Sequence, residues 1–144
     1  MLFRSVEAER EFLQQLIDNY VDIVFANEEE AKALTGKSAK EAVEELGKKV
    51  RIVVVKTGGK GSWIGANGEI ICVPVEEIAP VDTTAAGDYY SAGFFYGLQQ
   101  EKSLRQCAEL GSLLAYEVIQ VVGTKLPPAT WDKIRMKVQE IIAE

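Results

Sequence analysis

Two aspartates and a run of small residues form the segment of the chain that is best suited to chemistry. Residues 81–94 read V-D-T-T-A-A-G-D-Y-Y-S-A-G-F, and Asp82 and Asp88 enclose an Ala-Ala-Gly run at positions 85–87. The residues from Asp88 to about Gln100 have the pattern of an apolar helix, so the small residues stand at its N-terminus. Backbone N–H groups there lack intrahelical acceptors, and together with the helix dipole they can bind a phosphate group. An ordinary N-cap role for Asp88 is the alternative, and the small residues favour the anion site.

A glycine-rich turn, K-T-G-G-K-G-S at residues 56–62, follows a short apolar segment that is typical of a buried strand. It is not a P-loop, because Lys60 is followed by Gly61 and not by a serine or threonine. A glycine turn between two strands most often only connects them. The alternative is a backbone that lies flat against a nucleotide base or ribose, and the turn by itself leaves both interpretations open.

The segment N-E-E-E at residues 27–30 follows another apolar strand pattern and also has two interpretations. Asn27 as N-cap, with Glu30 three residues later, is the signature of a capping box, which needs no ligand. Open α/β sheets, however, bind ligands at the carboxyl ends of their strands, and a carboxylate there can hold hydrated Mg²⁺. The sequence does not decide between the two.

The composition excludes several classes of function. The 144 residues carry a formal net charge of −6 and no basic stripe, so nucleic acid is not an expected partner. No apolar run approaches the roughly 18 residues of a membrane span and the start has no signal-peptide pattern, so we expect a cytoplasmic protein without membrane contact. The lack of histidine removes Ser-His-Asp and Cys-His mechanisms and His-ligated metals. Cys72 and Cys107 lie in apolar runs and are predicted to be buried, reduced thiols.

Hydrophobic periodicity predicts strands and helices in an order that defines the fold class. Strands are predicted at residues 21–25, 51–56, 62–66 and 69–75, with Asn67-Gly68 as the hairpin turn between the last two. Helices are predicted at residues 6–19, 27–36, 38–47, 88–100 and 103–122, and from Thr130 onward. This order predicts one α/β layered domain over residues 1–144. The first strand has the pattern of one buried on both faces and edges, yet no strand precedes it, so we expect the C-terminal part of a larger fold.

Taken together, the motifs resemble those of the PfkB, or ribokinase-like, family of carbohydrate and nucleoside kinases. D-T-T-A-A-G-D-x-x-x-A-G-F resembles the family's C-terminal signature, N-E-E-E its Asn-x-x-Glu motif, and V-V-V-K-T-G-G-K-G-S its nucleotide-contacting strand and turn. V-I-Q-V-V-G-T-K-L-P is similar to the segment that closes the nucleotide pocket. The resemblance covers essentially the whole chain. It implies a Rossmann-type, three-layer α/β/α fold with a mostly parallel sheet and a β-hairpin, incomplete at the N-terminal side.

The resemblance also implies the chemistry of the first motif. Asp88 would be the catalytic base that takes the proton from the hydroxymethyl group of the acceptor. The backbone N–H groups of Ala85, Ala86 and Gly87 would form an anion hole around the transferring phosphoryl group. Ala85 stands where many family members have glycine, and a methyl group is acceptable there if φ is negative.

The remaining matching residues would bind ATP and its ions. The positions that the resemblance assigns to the ATP site are Lys56, Gly58, Gly61 and Gly123. Glu30, with Asn27, would position Mg²⁺ through water. Asp82 and Thr84 match positions that bind a monovalent cation, such as K⁺, in some members.

The implied function is an ATP-dependent kinase that phosphorylates the hydroxymethyl group of a small sugar or nucleoside. Ribose, fructose, a keto-deoxy acid and adenosine all remain open as acceptors. Family chains are much longer and keep most sugar-binding residues in their N-terminal half, so we expect no complete acceptor site here. The alternative is a non-catalytic nucleotide-binding or interaction module, whose open sheet edge would pair with a second copy in a homodimer or with the missing N-terminal half.

Overall fold

The computed structural model describes residues 3–143, with side chains from residue 5 onward. The helices are α1 (Phe3–Ala8), α2 (Arg10–Asn19), α3 (Glu28–Thr35), α4 (Ala39–Leu46), α5 (Ala86–Gln99), α6 (Leu104–Val118) and α7 (Pro128–Ala143). The strands are β1 (Ile23–Asn27), β2 (Ile52–Lys56), β3 (Ser62–Ala66) and β4 (Glu69–Val73). The chain divides into two compact units, Met1–Pro74 (unit 1) and Val75–Glu144 (unit 2), whereas the sequence predicted no boundary.

Unit 1 is built on a four-stranded sheet with the order β1-β2-β3-β4. β1 runs parallel to β2, while β2–β3 and β3–β4 are antiparallel, so the parallel character predicted for the sheet is limited in this chain to one pair. The predicted hairpin between β3 and β4 is confirmed. Asn67 and Gly68 both have positive φ, 53° and 79°, as a two-residue turn of this type requires.

β1 lies at the edge of this sheet, as expected for a fold that is incomplete at its N-terminal side. Ile23, Val24 and Phe25 are only partly buried. They line an apolar groove of about 280 Å³ together with side chains that include Leu13 and Ile17 of α2. The strand pattern at residues 21–25 was therefore recognised correctly as apolar, and its place at the edge leaves part of it without cover.

The first predicted helix, residues 6–19, is two helices. Glu9 separates α1 from α2 with φ −114° and ψ 24°, outside the helical range, although its N–H still donates to Ser5 and its carbonyl oxygen still accepts the Leu13 N–H. The next two predicted helices are confirmed with their caps. α3 begins at the capping box of Asn27 and Glu30, and α4 at that of Ser38 and Glu41.

The core of unit 1 lies between helices α3 and α4 and the sheet. Small side chains allow a close approach, since a Cβ atom on Gly65 of β3 would lie 2.7 Å from a methyl carbon of Val43 on α4. Fully buried members of this core include Ala31, Ala42, Val43, Val53 and Val55. Strand β2 is buried along its middle and pairs with β1 on one side and β3 on the other.

Unit 2 consists of helices, and α5 packs closely against α6. Three glycines permit the contact: a Cβ on Gly93 would lie 2.4 Å from the Leu110 carbonyl oxygen, and Gly97 and Gly111 are almost as confined. A second core joins α6 to α7 through Val118 and Ile134. This packing fixes the direction of α5 and therefore of its first turn.

Two helix boundaries in unit 2 differ from the prediction. α6 ends at Val118 and not near residue 122, and the carbonyl oxygen of Ile119 accepts the N–H groups of Val81 and Asp82 instead of continuing the helix. α7 begins at Pro128, a residue that is well suited to the first helical position.

The two thiols differ in exposure. Cys107 is buried between α5 and α6 as predicted, but Cys72 is exposed on β4, which corrects the prediction for that residue. Among the helices of residues 3–143, none is long and apolar enough to cross a membrane.

Candidate functional site

The first turn of α5 presents unpaired polar groups. Ala85 is the N-cap, so Asp88 is the third residue of the helix and not its cap, and its exposed carboxylate has no hydrogen-bond or ion-pair partner among residues 3–143. The backbone N–H groups of Gly87 and Asp88 also have no acceptor in the described part of the chain. The turn therefore offers two donors and one basic oxygen group at the same helix end.

One of the three backbone N–H groups predicted to form the anion hole already has an acceptor. The N–H of Ala86 donates to the carbonyl oxygen of Thr83 at 3.2 Å and is thus engaged in a turn. Ala85 has φ +63°, so the condition under which its methyl group would be acceptable is not met. A left-handed conformation costs a non-glycine residue roughly 1–2 kcal/mol. The loop holds that strain in place because Ala85 supplies the carbonyl that accepts the Tyr89 N–H at 3.0 Å.

Asp82 links two backbone segments of unit 2. Its Oδ1 accepts the N–H of Thr84 and its Oδ2 the N–H of Gly123, both at 2.8 Å. Hydrogen bonds from the Thr84 side chain, the Gly123 N–H and the Thr84 N–H lower the pKa of Asp82 from 3.8 to about 2. Each carboxylate oxygen of Asp82 accepts one N–H group and keeps a further lone pair, so the binding of a monovalent cation by Asp82 and Thr84 stays a prediction.

Asn27 and Glu30 form the complete capping box that was one of the two interpretations of their motif. The Asn27 Oδ1 accepts the Glu30 N–H at 2.8 Å, and Glu30 Oε2 accepts the Asn27 N–H at 2.9 Å. Glu30 is 8% exposed. Asn27 lies at the carboxyl end of β1, opposite Lys56 at the end of β2. The motif thus stands at the sheet edge where α/β proteins bind ligands.

These residues do not form a metal cage of their own. No group of three or more Asp, Glu or Cys side chains in the described chain could hold a metal ion. Mg²⁺ usually keeps several waters and takes one or two carboxylates together with substrate phosphates. The contact of Glu30 with Mg²⁺ through water stays a prediction, and such an ion would arrive with the nucleotide.

Of the three glycines assigned to the ATP site, the two in the turn after β2 have different surroundings. Gly61 has φ +96°, and a Cβ there would lie 2.0 Å from the Val73 carbonyl oxygen, so the close approach of β4 explains this glycine without a ligand. Gly58 has φ +61° and open space around its missing side chain. Thr57 closes the turn, since its N–H and hydroxyl both donate to the Gly61 carbonyl at 2.9 Å.

Tyr89 lies next to Asp88 and makes specific contacts, although no chemical role was predicted for it. Its hydroxyl donates to the Thr124 carbonyl at 2.7 Å, and its ring stacks on Trp131 with centroids 6.3 Å apart. The position directly after Asp88 was the available signal, but a tyrosine in an apolar helix pattern equally predicts core packing. Only the fold identifies its partner.

The α/β fold and the open N–H groups of Gly87 and Asp88 are compatible with an enzyme class that binds phosphate groups. Residues 2–131 match the pfkB family of carbohydrate kinases, and the chain belongs to that family. A cytidine kinase of Thermococcus kodakarensis is 34% identical over 118 residues, which are 79% of this chain and 42% of that protein.

Solved structures agree with this assignment. The adenosine kinase of Sinorhizobium meliloti is 33% identical with a TM-score of 0.86, over 94% of this chain and 42% of that one. The nucleoside kinase of Methanocaldococcus jannaschii, a member of the ribokinase family, is 28% identical with a TM-score of 0.71, over 91% of this chain and 44% of that one. The resemblance and the ribokinase-like fold are confirmed, and the chain spans less than half the length of these relatives. Family membership implies ATP as the co-substrate, typically with Mg²⁺.

Proposed function

We propose that this chain carries the phosphoryl-transfer part of an ATP-dependent kinase that phosphorylates the hydroxymethyl group of a sugar or nucleoside. The observation that supports the proposal most is the first turn of α5, where the N–H groups of Gly87 and Asp88 and the Asp88 carboxylate have no partner in the described chain. Polar groups left open at a helix N-terminus suit a ligand that brings negative charge and a proton to remove.

In this proposal Asp88 is the catalytic base. Its carboxylate accepts the proton of the acceptor hydroxyl while that oxygen bonds to the γ-phosphorus of ATP and the bond between the γ-phosphorus and the bridging oxygen breaks. ADP leaves, and the proton passes from Asp88 to water. A positioned carboxylate contributes about 10² to 10⁴ in rate.

The open N–H groups would stabilise the charge on the transferring phosphoryl group. Phosphoryl transfer needs positioning and charge stabilisation more than covalent help, and N–H groups fixed by the helix require no reorganisation. Gly87 and Asp88 supply these donors. Ala85 is the third candidate, since its N–H also lacks an acceptor in the described residues, whereas Ala86 would first have to release Thr83.

Other residues keep the assignments that the family resemblance implies for them. In unit 1 we assign Gly58 and Lys56 to ATP contact and Glu30, with Asn27, to the hydrated Mg²⁺ of MgATP. Gly61 allows the turn to pack closely against β4. In unit 2 we assign the segment around Gly123 to the nucleotide. The proposed transfer does not depend on K⁺, and contact of K⁺ with Asp82 and Thr84 stays a prediction.

The test compares Asp88→Asn with wild type and with the control Asp132→Asn, which changes an exposed aspartate on α7. MgATP affinity is measured by calorimetry, and transfer from radiolabelled ATP is measured with ribose, fructose, a keto-deoxy acid, adenosine and cytidine. We expect Asp88→Asn to change MgATP affinity little and, with any acceptor for which wild type shows transfer, to lower that transfer about 10² to 10⁴-fold. A chain that binds no MgATP, or an Asp88→Asn variant within a few-fold of wild type in transfer, would refute the proposal.

A second candidate function is a nucleotide-binding module without catalysis. It is favoured by one observation, namely that the chain spans less than half the length of its relatives while β1 forms an open edge. MgATP binding without transfer to any acceptor, by wild type and Asp88→Asn alike, would support this candidate.

A further inference from the structure

Two segments of unit 2 that are far apart in the chain lie side by side. The first, residues 81–89, contains the loop before α5 and its first turn. The second, residues 119–124, joins α6 to the approach to α7. The N–H groups of Val81 and Asp82 both donate to the Ile119 carbonyl oxygen, at 2.8 and 3.2 Å. These two hydrogen bonds join the start of the first segment to the start of the second.

The Asp82 carboxylate makes the middle connection. One oxygen accepts the N–H of Thr84 in its own segment and the other accepts the N–H of Gly123 in the opposite segment. Gly123 has φ +80°, a conformation that directs its N–H to Asp82 and that other residues adopt with strain. Bonds from N–H groups to an ionised carboxylate are stronger than neutral ones. Asp82 therefore fixes the Gly123 peptide relative to the loop that begins α5.

Tyr89 makes the connection at the far end. Its hydroxyl donates to the Thr124 carbonyl, and its ring is held by stacking on Trp131. Tyr89 follows Asp88 directly in α5. The segment around Gly123 is thus attached both before and after the residues with open N–H groups.

We propose that Asp82 and Tyr89 are positioning residues, which hold the Gly123 segment and the first turn of α5 as one body. Neither side chain would touch the reacting atoms. Their effect would be to keep the groups that face the nucleoside part of ATP at a fixed spacing from those that face its phosphates. The placement of ATP rests on the proposed function, whereas the attachment of the two segments is a property of the chain alone.

The first arm of the test needs no ligand. Amide hydrogen exchange and chemical shifts are measured by NMR on the whole chain for wild type, Asp82→Ala, Asp82→Asn and Tyr89→Phe, with Asp132→Asn as control. Asparagine keeps one acceptor oxygen, and phenylalanine keeps the ring on Trp131. We expect Asp82→Ala to lower protection of the Gly123 amide about tenfold, the value of one charge-assisted hydrogen bond, and Asp82→Asn to restore part of it.

The decisive signal in this arm lies outside the bonded pair. If the two segments form one body, Asp82→Ala and Tyr89→Phe both shift the amide resonances of Gly87 and Asp88, and Asp132→Asn does not. Shifts confined to Thr84, Gly123 and their neighbours would overturn the proposal. The proposal would also be overturned if K⁺, compared with tetramethylammonium, shifted the Gly123 amide resonance in wild type, because Asp82 would then be a cation ligand.

The second arm measures affinity for MgATP and for magnesium tripolyphosphate. Only ATP reaches both segments, so we expect Asp82→Ala to weaken MgATP about tenfold and tripolyphosphate less than about threefold, with partial rescue in Asp82→Asn. Equal losses for both ligands would overturn the positioning role. Wild type that binds neither ligand but passes the first arm would refute the proposed function and support the attachment of the segments.

Discussion

The two units place motif residues at the ends of their secondary-structure elements, but they treat the polar groups of those residues differently. In unit 1, Asn27 and Glu30 bind each other, and Thr57 closes the glycine turn on Gly61. In unit 2, the N–H groups of Gly87 and Asp88 and the Asp88 carboxylate have no partner in residues 3–143. Polar groups that are already satisfied hold a scaffold, and groups that are left open await a ligand. In the proposed function the proton transfer therefore belongs to the open groups of unit 2, whereas the paired groups of unit 1 hold their turn and helix in place.

The glycine turn of unit 1 gives the largest expected effect on stability. In Gly61→Ala the new Cβ would meet the Val73 carbonyl at 2.0 Å and the Pro74 Cα at 2.8 Å, at a φ that alanine rarely adopts. We expect a loss of about 3 kcal/mol or more in the free energy of unfolding, measured by urea denaturation.

Gly58→Ala is the matched control for this turn. Its φ is also positive, but nothing lies within 4 Å of the new Cβ, so we expect a loss of only about 1 kcal/mol. MgATP affinity should fall in Gly58→Ala if the turn contacts the nucleotide. If Gly61→Ala were as stable as Gly58→Ala, the structural explanation of Gly61 would be wrong.

The α5 turn predicts an effect of the opposite sign. Ala85→Gly removes the strain of a left-handed alanine, and we expect it to raise the free energy of unfolding by about 0.5–1 kcal/mol. Ala86→Gly, one residue further and inside α5, should lower it by a similar 0.5–1 kcal/mol or so. Two substitutions of the same chemistry would then differ in sign, as thermal or urea unfolding can show. Equal losses in both variants would contradict the left-handed conformation of Ala85.

The connection made by Asp82 predicts a titration at low pH. A carboxyl group whose pKa is lowered in the folded state stabilises the protein above its ordinary pKa of 3.8, and this stabilisation is lost as pH falls through about 2. The Gly123 and Thr84 amide shifts should therefore titrate with a midpoint near 2, and the Gly123 transition should be absent in Asp82→Asn. A midpoint near 3.8 would mean that the hydrogen bonds to Gly123 and Thr84 do not form in solution.

The sequence predicted local features of the fold well. Capping boxes at Asn27 and Ser38 and the Asn67-Gly68 turn depend on neighbouring residues only, and all three are present. The family signature likewise identified the kinase family. What failed depended on contacts distant in sequence, such as the end of α6, where the Ile119 carbonyl is taken by residues 81 and 82.

The site could be predicted in its residue types but not in its hydrogen bonds. That Ala86 is engaged by Thr83, or that Gly61 is required by β4, follows from backbone dihedral angles and packing that no motif encodes. The partner of Tyr89 is 35 residues away. Spacing arguments extend along one element, whereas these bonds join different ones.

The smallest expected effect concerns the two thiols, one in each unit. Cys72 on β4 is exposed, whereas burial raises the pKa of Cys107 to about 11 and α5 covers its sulfur. A Cβ on Gly97 would lie 2.9 Å from that sulfur, so a reagent can reach it only if α5 separates from α6. We expect iodoacetamide to label Cys72 readily and Cys107 at least ~100-fold more slowly, at a rate set by local opening. Cys72→Ser isolates the slow reaction, and mass spectrometry follows it. Rapid labelling of Cys107 in that variant would mean that α5 is loosely held, and a helix that opens often could not keep the Asp88 turn preorganised.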